Sequence, residues 1–162
     1  MKTYSINEII EMAVQIEKSG YSFYDKALYN KSLSNKAKEL IIYLRDEEKK
    51  HEKIFKRLRD KIDLSEIDKS QDWKTVSSYM RAIIESRIFN TPEAAIKLAT
   101  EAEKETDIID YAIQFEKDTL LYFHSVNMVV NEAKSKKAIK EIIDEEVSHV
   151  LRLSEIKEEL TK

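Results

Sequence analysis

The chain has 162 residues, of which 42% are hydrophobic and 36% charged, and its 28 basic and 31 acidic residues leave a formal net charge of −3. With no cysteine, disulfides, thiolate metal sites and iron–sulfur clusters are excluded, so any bound metal must use oxygen and nitrogen ligands. Because the charges are well mixed and no long apolar run occurs, we expect no nucleic-acid or membrane partner and a cytoplasmic protein with one domain over residues 1–162.

The first part of the chain has the pattern of two long helices. Ser5 and Glu8 form a capping box for the first, which we expect to continue to about Asn30 because apolar residues recur at helical spacing. Ser34 is a candidate cap for the second helix, predicted over residues 35–61. Since only a short polar segment separates these helices, we expect them to pack antiparallel.

A less regular region follows, from Asp63 to about Glu105. Here we predict a helix over residues 73–89 and another with Thr91 as its cap and Pro92 at its first position. This region is long enough to be a crossover that contains short helices.

Two more long helices are predicted at about residues 107–133 and 136–160. The lysine-rich stretch between them, residues 134–137, is expected to be a solvated loop and helix start. The chain contains one glycine and one proline, which favours helices over sheets joined by tight turns. The predicted fold class is therefore all-α, an antiparallel four-helix bundle of two hairpins joined by a long crossover.

An internal repeat relates the two hairpins. Residues 13–24 (AVQIEKSGYSFY) align without gaps with residues 112–123 (AIQFEKDTLLYF), at an offset of 99. Residues 45–51 (RDEEKKH) align with residues 143–149 (IDEEVSH), at an offset of 98. Each half of the chain thus carries the same two-helix unit.

Charged residues occupy core positions in all four long helices. The residues that lie within the apolar stripes are Glu17, Glu48, His51, Glu116, Glu146 and His149. Burying a single unpaired carboxylate costs on the order of several kcal/mol, and four together would also repel one another. Two divalent cations would neutralise the four carboxylates, and the two imidazoles would complete the ligand set. The pattern therefore predicts a two-metal site.

The Glu-x-x-His spacing explains how each pair would hold a metal, since residues three apart project side by side from a helix. Chance is the alternative in a chain this rich in glutamate, but two matches within identical Asp-Glu-Glu contexts argue against it. One Glu from each of two helices and a Glu-x-x-His from each of the other two is the arrangement of ferritin-like di-iron and di-manganese proteins.

The segments EKSGYSFY, DEEKKH, EKDTLLYF and DEEVSH resemble the rubrerythrin-like branch of the ferritin-like superfamily. The resemblance covers both hairpins and implies an antiparallel four-helix bundle with a non-haem di-iron site, in a protein that reduces peroxide or oxygen and is often a homodimer. It further implies that Glu48 and Glu146 bridge the metals and that Tyr24 lies beside them.

The chain departs from that family at two points. Rubrerythrins carry an added rubredoxin-type domain whose four cysteines hold an iron that supplies electrons, whereas this chain has no cysteine and would need an external electron-donor protein. Three residues after Glu116, where the family tends to have a further glutamate, the chain has Thr119. The second difference weakens the case for a rubrerythrin-type peroxidase mechanism.

Three other polar residues could belong to the site. Glu47 and Glu145 each precede a predicted ligand, and they either hydrogen-bond the ligand histidines from outside or are simply solvated. His124 is interpreted as a surface or packing residue, because it lies about 80° around the predicted helix from Glu116.

The leading functional hypothesis is a di-iron oxidoreductase that reduces hydrogen peroxide or oxygen with electrons from an external donor. A ferroxidase or iron-handling protein, and a metal-binding bundle without turnover, are the alternatives. Two iron ions are the expected cofactor. Manganese and zinc stay open because they accept the same carboxylate and imidazole ligands.

Overall fold

A computed structural model of the chain describes residues 5–61 and 72–162, and it contains six helices in these ranges. The helices are α1 (Ile6–Ala27), α2 (Asn35–Lys61), α3 (Asp72–Ser86), α4 (Pro92–Glu101), α5 (Glu105–Val129) and α6 (Ala133–Leu160). No helix in the described ranges is both long enough and apolar enough to cross a bilayer.

The four long helices form the predicted bundle. α1 packs along α2 and α5 along α6, and the two hairpins meet where α1 contacts α5 and α2 contacts α6. Helices α2 and α6 run antiparallel, as shown by the ion pair between Lys36 near the start of α2 and Glu159 near the end of α6. The predicted all-α class, with two hairpins and a crossover that contains α3 and α4, is confirmed.

Side-chain caps begin three of the helices where the sequence predicts them. Ser5 accepts a hydrogen bond of 3.2 Å from the amide of Glu8, and the Glu8 carboxylate accepts one of 2.8 Å from the Ser5 amide. Ser34 accepts from the amide of Ala37 at 3.3 Å, at the start of α2. Thr91 accepts from the amide of Ala94 at 3.1 Å, at the start of α4. Each hydroxyl satisfies an amide that the first helical turn leaves unpaired.

Four helix boundaries differ from the prediction by three or four residues, at the ends of α1, α3 and α5 and at the start of α6. α1 ends at Ala27, before Asn30. Residues 134–137, predicted as a loop and helix start, lie wholly within the first turns of α6, so the loop part of that prediction is wrong and the connection is shorter and earlier. Glu132 is the cap, its carboxylate accepting from the amide of Ser135 at 2.9 Å. Lysine is a good helix former and its ammonium reaches water from the outer face, so a lysine-rich stretch can begin a helix.

Hydrogen bonds from the loop between α1 and α2 attach the crossover to the bundle. The amide group of Asn30 donates to the carbonyl oxygens of Ala99 and Ala102 at 3.1 and 2.9 Å. The backbone N–H of Ser34 donates to Glu105 at 2.8 Å. These bonds join the α1–α2 loop to the end of α4 and the start of α5, so the two hairpins are held in one register.

An aromatic stack places the crossover over the centre of the bundle. Phe89, in the connection between α3 and α4, stacks on Phe115 of α5 with ring centroids 4.8 Å apart and on Phe23 of α1 at 5.3 Å. All three rings are buried. The helix predicted over residues 73–89 ends at Ser86, and this leaves Phe89 free of the helix to reach the bundle.

Candidate metal centre

The bundle brings the six sequence-predicted ligands into one buried cluster. Glu17 comes from α1, Glu48 and His51 from α2, Glu116 from α5, and Glu146 and His149 from α6; all six side chains have no solvent exposure. Glu146 lies at the centre, since its two carboxylate oxygens are 2.9 Å from Nδ1 of His51 and 2.8 Å from Nδ1 of His149. Both imidazoles therefore turn Nδ1 inward.

The ligand atoms separate into two groups that share Glu146. One group is Glu48, Glu116, Glu146 and His149, and the other is Glu17, His51 and Glu146; within each, one ligand atom per residue lies within 4.8 Å of the others. Glu146 belongs to both groups, as bridging of two ions would require, and bridging by Glu146 and Glu48 stays a prediction. His124 is exposed on α5 and belongs to neither group.

Unsatisfied oxygen atoms show that the cluster fits a pair of cations. Across the described residues, both carboxylate oxygens of Glu17, both of Glu48 and one of Glu116 are buried without a hydrogen-bond partner. Leaving such groups buried and unpaired is costly. Carboxylate oxygens with imidazole nitrogens are a donor set that suits iron, manganese and zinc. Two divalent ions among these atoms would satisfy them and balance four negative charges.

The pKa values of Glu48 and Glu116 are raised, which shows that the metal-free cluster disfavours negative charge on these groups. Burial, then the charges of Glu17 and Glu146, raise the pKa of Glu48 well above its usual range. Burial, then the charge of Glu146, raise the pKa of Glu116 in the same way. Without a metal, burial and like charge thus favour the neutral form of these two groups.

The pKa values of Glu146 and His51 shift in the directions expected for an ion pair. Burial alone would raise the pKa of Glu146, but hydrogen bonds from His149 and His51 outweigh it and lower that pKa. Burial alone would lower the pKa of His51, but the charge of Glu17 and hydrogen bonds to Glu145 and Glu146 raise it far above 6.5. The metal-free site thus favours the ionised form of Glu146 beside the protonated form of His51.

The outer nitrogens of the two imidazoles have different surroundings. His51 Nε2 lies 2.6 Å from Oε2 of Glu145, whose side chain is 48% exposed. His149 Nε2 is buried and has no hydrogen-bond partner in the described part of the chain. Glu47, the counterpart of Glu145, forms an ion pair with Lys50. Of the two predicted outer contacts to histidine, the structure has the one made by Glu145.

Tyr24 lies against the cluster, as the family resemblance implies. Its hydroxyl donates a short hydrogen bond to Oε1 of Glu116. Burial and the charge of Glu116 raise the pKa of Tyr24 well above 10, so the phenol keeps its proton and stays a donor. The ring packs edge-on against Phe115, with centroids 6.2 Å apart, which fixes its position.

Gly20 is a residue whose role the sequence reasoning missed. A Cβ atom at this position would lie 2.5 Å from Oε2 of Glu48 and 2.6 Å from Cζ of Phe115. Gly20 therefore gives Glu48 the room to enter the cluster. A signal was present, because this is the chain's only glycine and it lies inside a helix, where glycine costs about 1 kcal/mol relative to alanine. Its counterpart in the repeat is Thr119, which is fully buried.

A cavity of about 600 Å³ lies beside the cluster, between α2 and α6. Ile54 and Arg57 line it from α2, and Glu141, Ile142 and Glu145 line it from α6. Because Glu145 also contacts His51, this carboxylate separates the cavity from the buried imidazole.

Comparison with known proteins supports the fold. No family model matches the chain, and no curated protein does. The crystal structure of a Thermotoga maritima protein, named as a ferritin-like diiron-carboxylate protein, superposes with a TM-score of 0.76 and 21% sequence identity over 98% of each chain. An identity this low establishes shape alone. The chain therefore has a ferritin-like fold, and its buried cluster fits a di-iron bundle.

Proposed function

We propose that this protein binds two iron ions through Glu17, Glu48, His51, Glu116, Glu146 and His149 and reduces hydrogen peroxide or oxygen with electrons from an external donor. The observation that carries the proposal is the buried group of four carboxylates and two imidazoles, in which five carboxylate oxygens lack a hydrogen-bond partner among the described residues. The name of the Thermotoga neighbour favours iron over manganese and zinc.

Each predicted ligand has a place in this arrangement. Glu17 and His51 would hold one ion, and Glu116 and His149 the other. The family resemblance implies that Glu48 and Glu146 lie between the two ions. Two bound ferrous ions would supply the two electrons that convert one hydrogen peroxide molecule and two protons to two water molecules. Carboxylates suit this role, because they can change between one-oxygen and two-oxygen contacts as the charge at the centre changes.

The surrounding residues exclude water and hold a proton. Tyr24 and Phe115 enclose the Glu116 side of the cluster, and Phe89 from the crossover stacks over Phe115. The Tyr24 hydroxyl keeps its proton on Oη and donates it in a hydrogen bond to Glu116. Such a dry, rigid surrounding strengthens the electrostatic interactions inside it and protects a reactive centre from side reactions.

The electrons must come from outside the chain. Without cysteine, this chain has no thiolate-bound iron of its own to relay electrons. We therefore include an external electron-donor protein in the proposal, and we propose a homodimer as the working assembly on the basis of the family resemblance.

The test is anaerobic loading with Fe(II), followed by mixing with one equivalent of hydrogen peroxide or oxygen. We expect two Fe(II) per chain and loss of both the ferrous signal, measured with a ferrous chelator, and the peroxide, measured amperometrically. Glu48→Ala should lose binding and reaction, whereas Glu141→Ala, an exposed residue of α6, should behave as the parent. A ferrous protein inert to both oxidants would refute the reaction, and parent-like behaviour of Glu48→Ala would refute the site.

A further inference from the structure

We infer that the two metal positions are unequal, and that the position at Glu17 and His51 binds a divalent cation more tightly than the position at Glu116 and His149. This inference rests on the proposed two-metal function and adds an order of binding to it. It depends on three residues outside the predicted ligand set, Glu145, Glu47 and Lys50.

His51 is supported on its outer side. Nδ1 faces the cluster, 2.9 Å from Glu146, and Nε2 lies 2.6 Å from the carboxylate of Glu145. When Nδ1 binds a metal, the ring must carry its proton on Nε2, which is the nitrogen that Glu145 can accept from. A carboxylate in this place fixes the orientation of the imidazole and makes it a stronger donor. Glu145 is therefore a positioning residue for His51.

His149 lacks this support although it faces the cluster in the same way. Its Nδ1 lies 2.8 Å from Glu146, and its Nε2 is buried with no partner in the ranges that the structure describes. The repeat would place Glu47 opposite His149 as Glu145 is opposite His51, because both pairs are related by the offset of 98. Yet Glu47 lies close to His51 and Glu145, as the three form a group within 4.8 Å.

Lys50 accounts for the position of Glu47. The two side chains, three residues apart on α2, form an ion pair in which the lysine is 68% exposed. The matching residue on α6 is Ser148, which carries no charge to draw Glu145 away. One substitution between the repeats, lysine for serine, therefore separates a supported histidine from an unsupported one.

The test uses Co(II), whose absorption reports binding and which does not react with the oxidants at issue. We expect titration of the metal-free protein, followed by absorption and calorimetry, to resolve two steps whose dissociation constants differ by more than about tenfold. Glu145→Gln should weaken the tighter step by about tenfold or more and leave the weaker step unchanged. Glu141→Gln, four residues before Glu145 and on the wall of the same cavity, is the charge-matched control.

A change at Lys50 tests the weaker position, the one at Glu116 and His149. Lys50→Ser should free Glu47 and strengthen the weaker step by roughly two- to fivefold, the range expected when an exposed ion pair of up to about 1 kcal/mol is removed. Lys53→Ser removes a charge from the same exposed face of α2 and should change neither step. An increase at the weaker step in Lys50→Ser that Lys53→Ser does not show would separate the release of Glu47 from the mere loss of a positive charge.

The outcomes separate this inference from the proposed function. Two equal steps in the parent, or an equal loss at both steps in Glu145→Gln, would overturn the inequality while leaving a two-metal site intact. Fewer than two Co(II) per chain would overturn both. Unequal Co(II) binding in a protein whose ferrous form ignores peroxide and oxygen would support the inequality and overturn the reaction.

Discussion

The hydroxyl of Tyr24 donates a hydrogen bond to Glu116 across the interface of α1 and α5, and the bond joins the two hairpins inside the metal cluster. This hydrogen bond lowers the pKa of Glu116, although burial and the charge of Glu146 raise it further than the tyrosine lowers it. The tyrosine thus helps to keep a ligand carboxylate ionised.

Replacing Tyr24 by phenylalanine should therefore make metal binding more sensitive to acid. Without the donor, Glu116 binds its proton more tightly, and a cation must compete with it. We expect Co(II) affinity to fall about tenfold at pH 6, the value expected for one hydrogen bond to a charged group, and much less at pH 8. Tyr29→Phe, at a residue that is 77% exposed, is the control. An equal loss at both pH values would contradict this role.

Metal uptake by the parent should release protons. Burial raises the pKa of Glu48 and Glu116, and the pKa of His51 is also raised, so these groups carry protons that a cation must displace. We therefore expect apparent Co(II) affinity to rise with pH from 6 to 8. A pH indicator in weak buffer should record proton release on mixing. Binding without release would show that the metal-free cluster is already deprotonated.

Glu48→Gln should stabilise the metal-free protein while it abolishes two-metal binding. The folded-state pKa of Glu48 lies above the ordinary 4.5, so its contribution to stability is full below that pH and is lost as pH rises toward the folded value. The glutamine has no charge to lose. We expect a gain of about 1–3 kcal/mol at pH 7.5, the range for relieving a buried unpaired polar group.

Urea denaturation of both proteins in the presence of a chelator measures this difference, and it should be small at pH 4.5 and grow toward pH 7.5. Glu141→Gln, at an exposed site, is the control and should show no such growth. A metal-free parent as stable as Glu48→Gln at pH 7.5 would show that its carboxylate is relieved in another way.

Gly20→Ala should weaken both the fold and the metal site. Alanine favours the helix by about 1 kcal/mol, but its Cβ would lie within 2.7 Å of Glu48 and the Phe115 ring. Glu48 can turn aside, whereas Phe115 is buried between Tyr24 and Phe89. Overpacking costs about 1–3 kcal/mol, so we expect a net loss of about 1 kcal/mol.

The Gly20→Ala protein should also bind Co(II) more weakly, because Glu48 is displaced from the cluster. Thermal denaturation and Co(II) titration measure the two effects. Ser19→Ala, at the neighbouring buried position, adds no atoms and should leave metal binding intact. A variant with higher stability and unchanged affinity would show that Glu48 does not need the space.

Periodicity made the bundle and the composition of the cluster predictable. Glu17 and Glu116 interrupt apolar stripes in matching helices, and a buried carboxylate is too costly to occur there without a reason. These signals lie within single helices, where sequence spacing determines which side chains share a face. The six residues that the pattern selected are the six that the structure brings together.

Features that depend on two helices at once were not predictable in the same way. The role of Gly20 depends on a distance to Glu48 on another helix, which sequence spacing within α1 cannot give. The direction of the Glu47 side chain depends on its ion pair with Lys50, a contact that sequence spacing does not rank against one to His149. The start of α6 was misplaced because Glu132, a residue less common than serine or aspartate as a cap, begins the helix.

The crossover that joins the hairpins has a consequence for how the site can change. If two copies of one hairpin assembled this bundle, rotational symmetry would force every substitution to occur at both halves of the site. In a single chain, matched positions can change independently. Gly20 corresponds to Thr119, Tyr24 to Phe123 and Lys50 to Ser148 in the repeat. Covalent linkage therefore allows two halves built on the same pattern to acquire separate chemical duties.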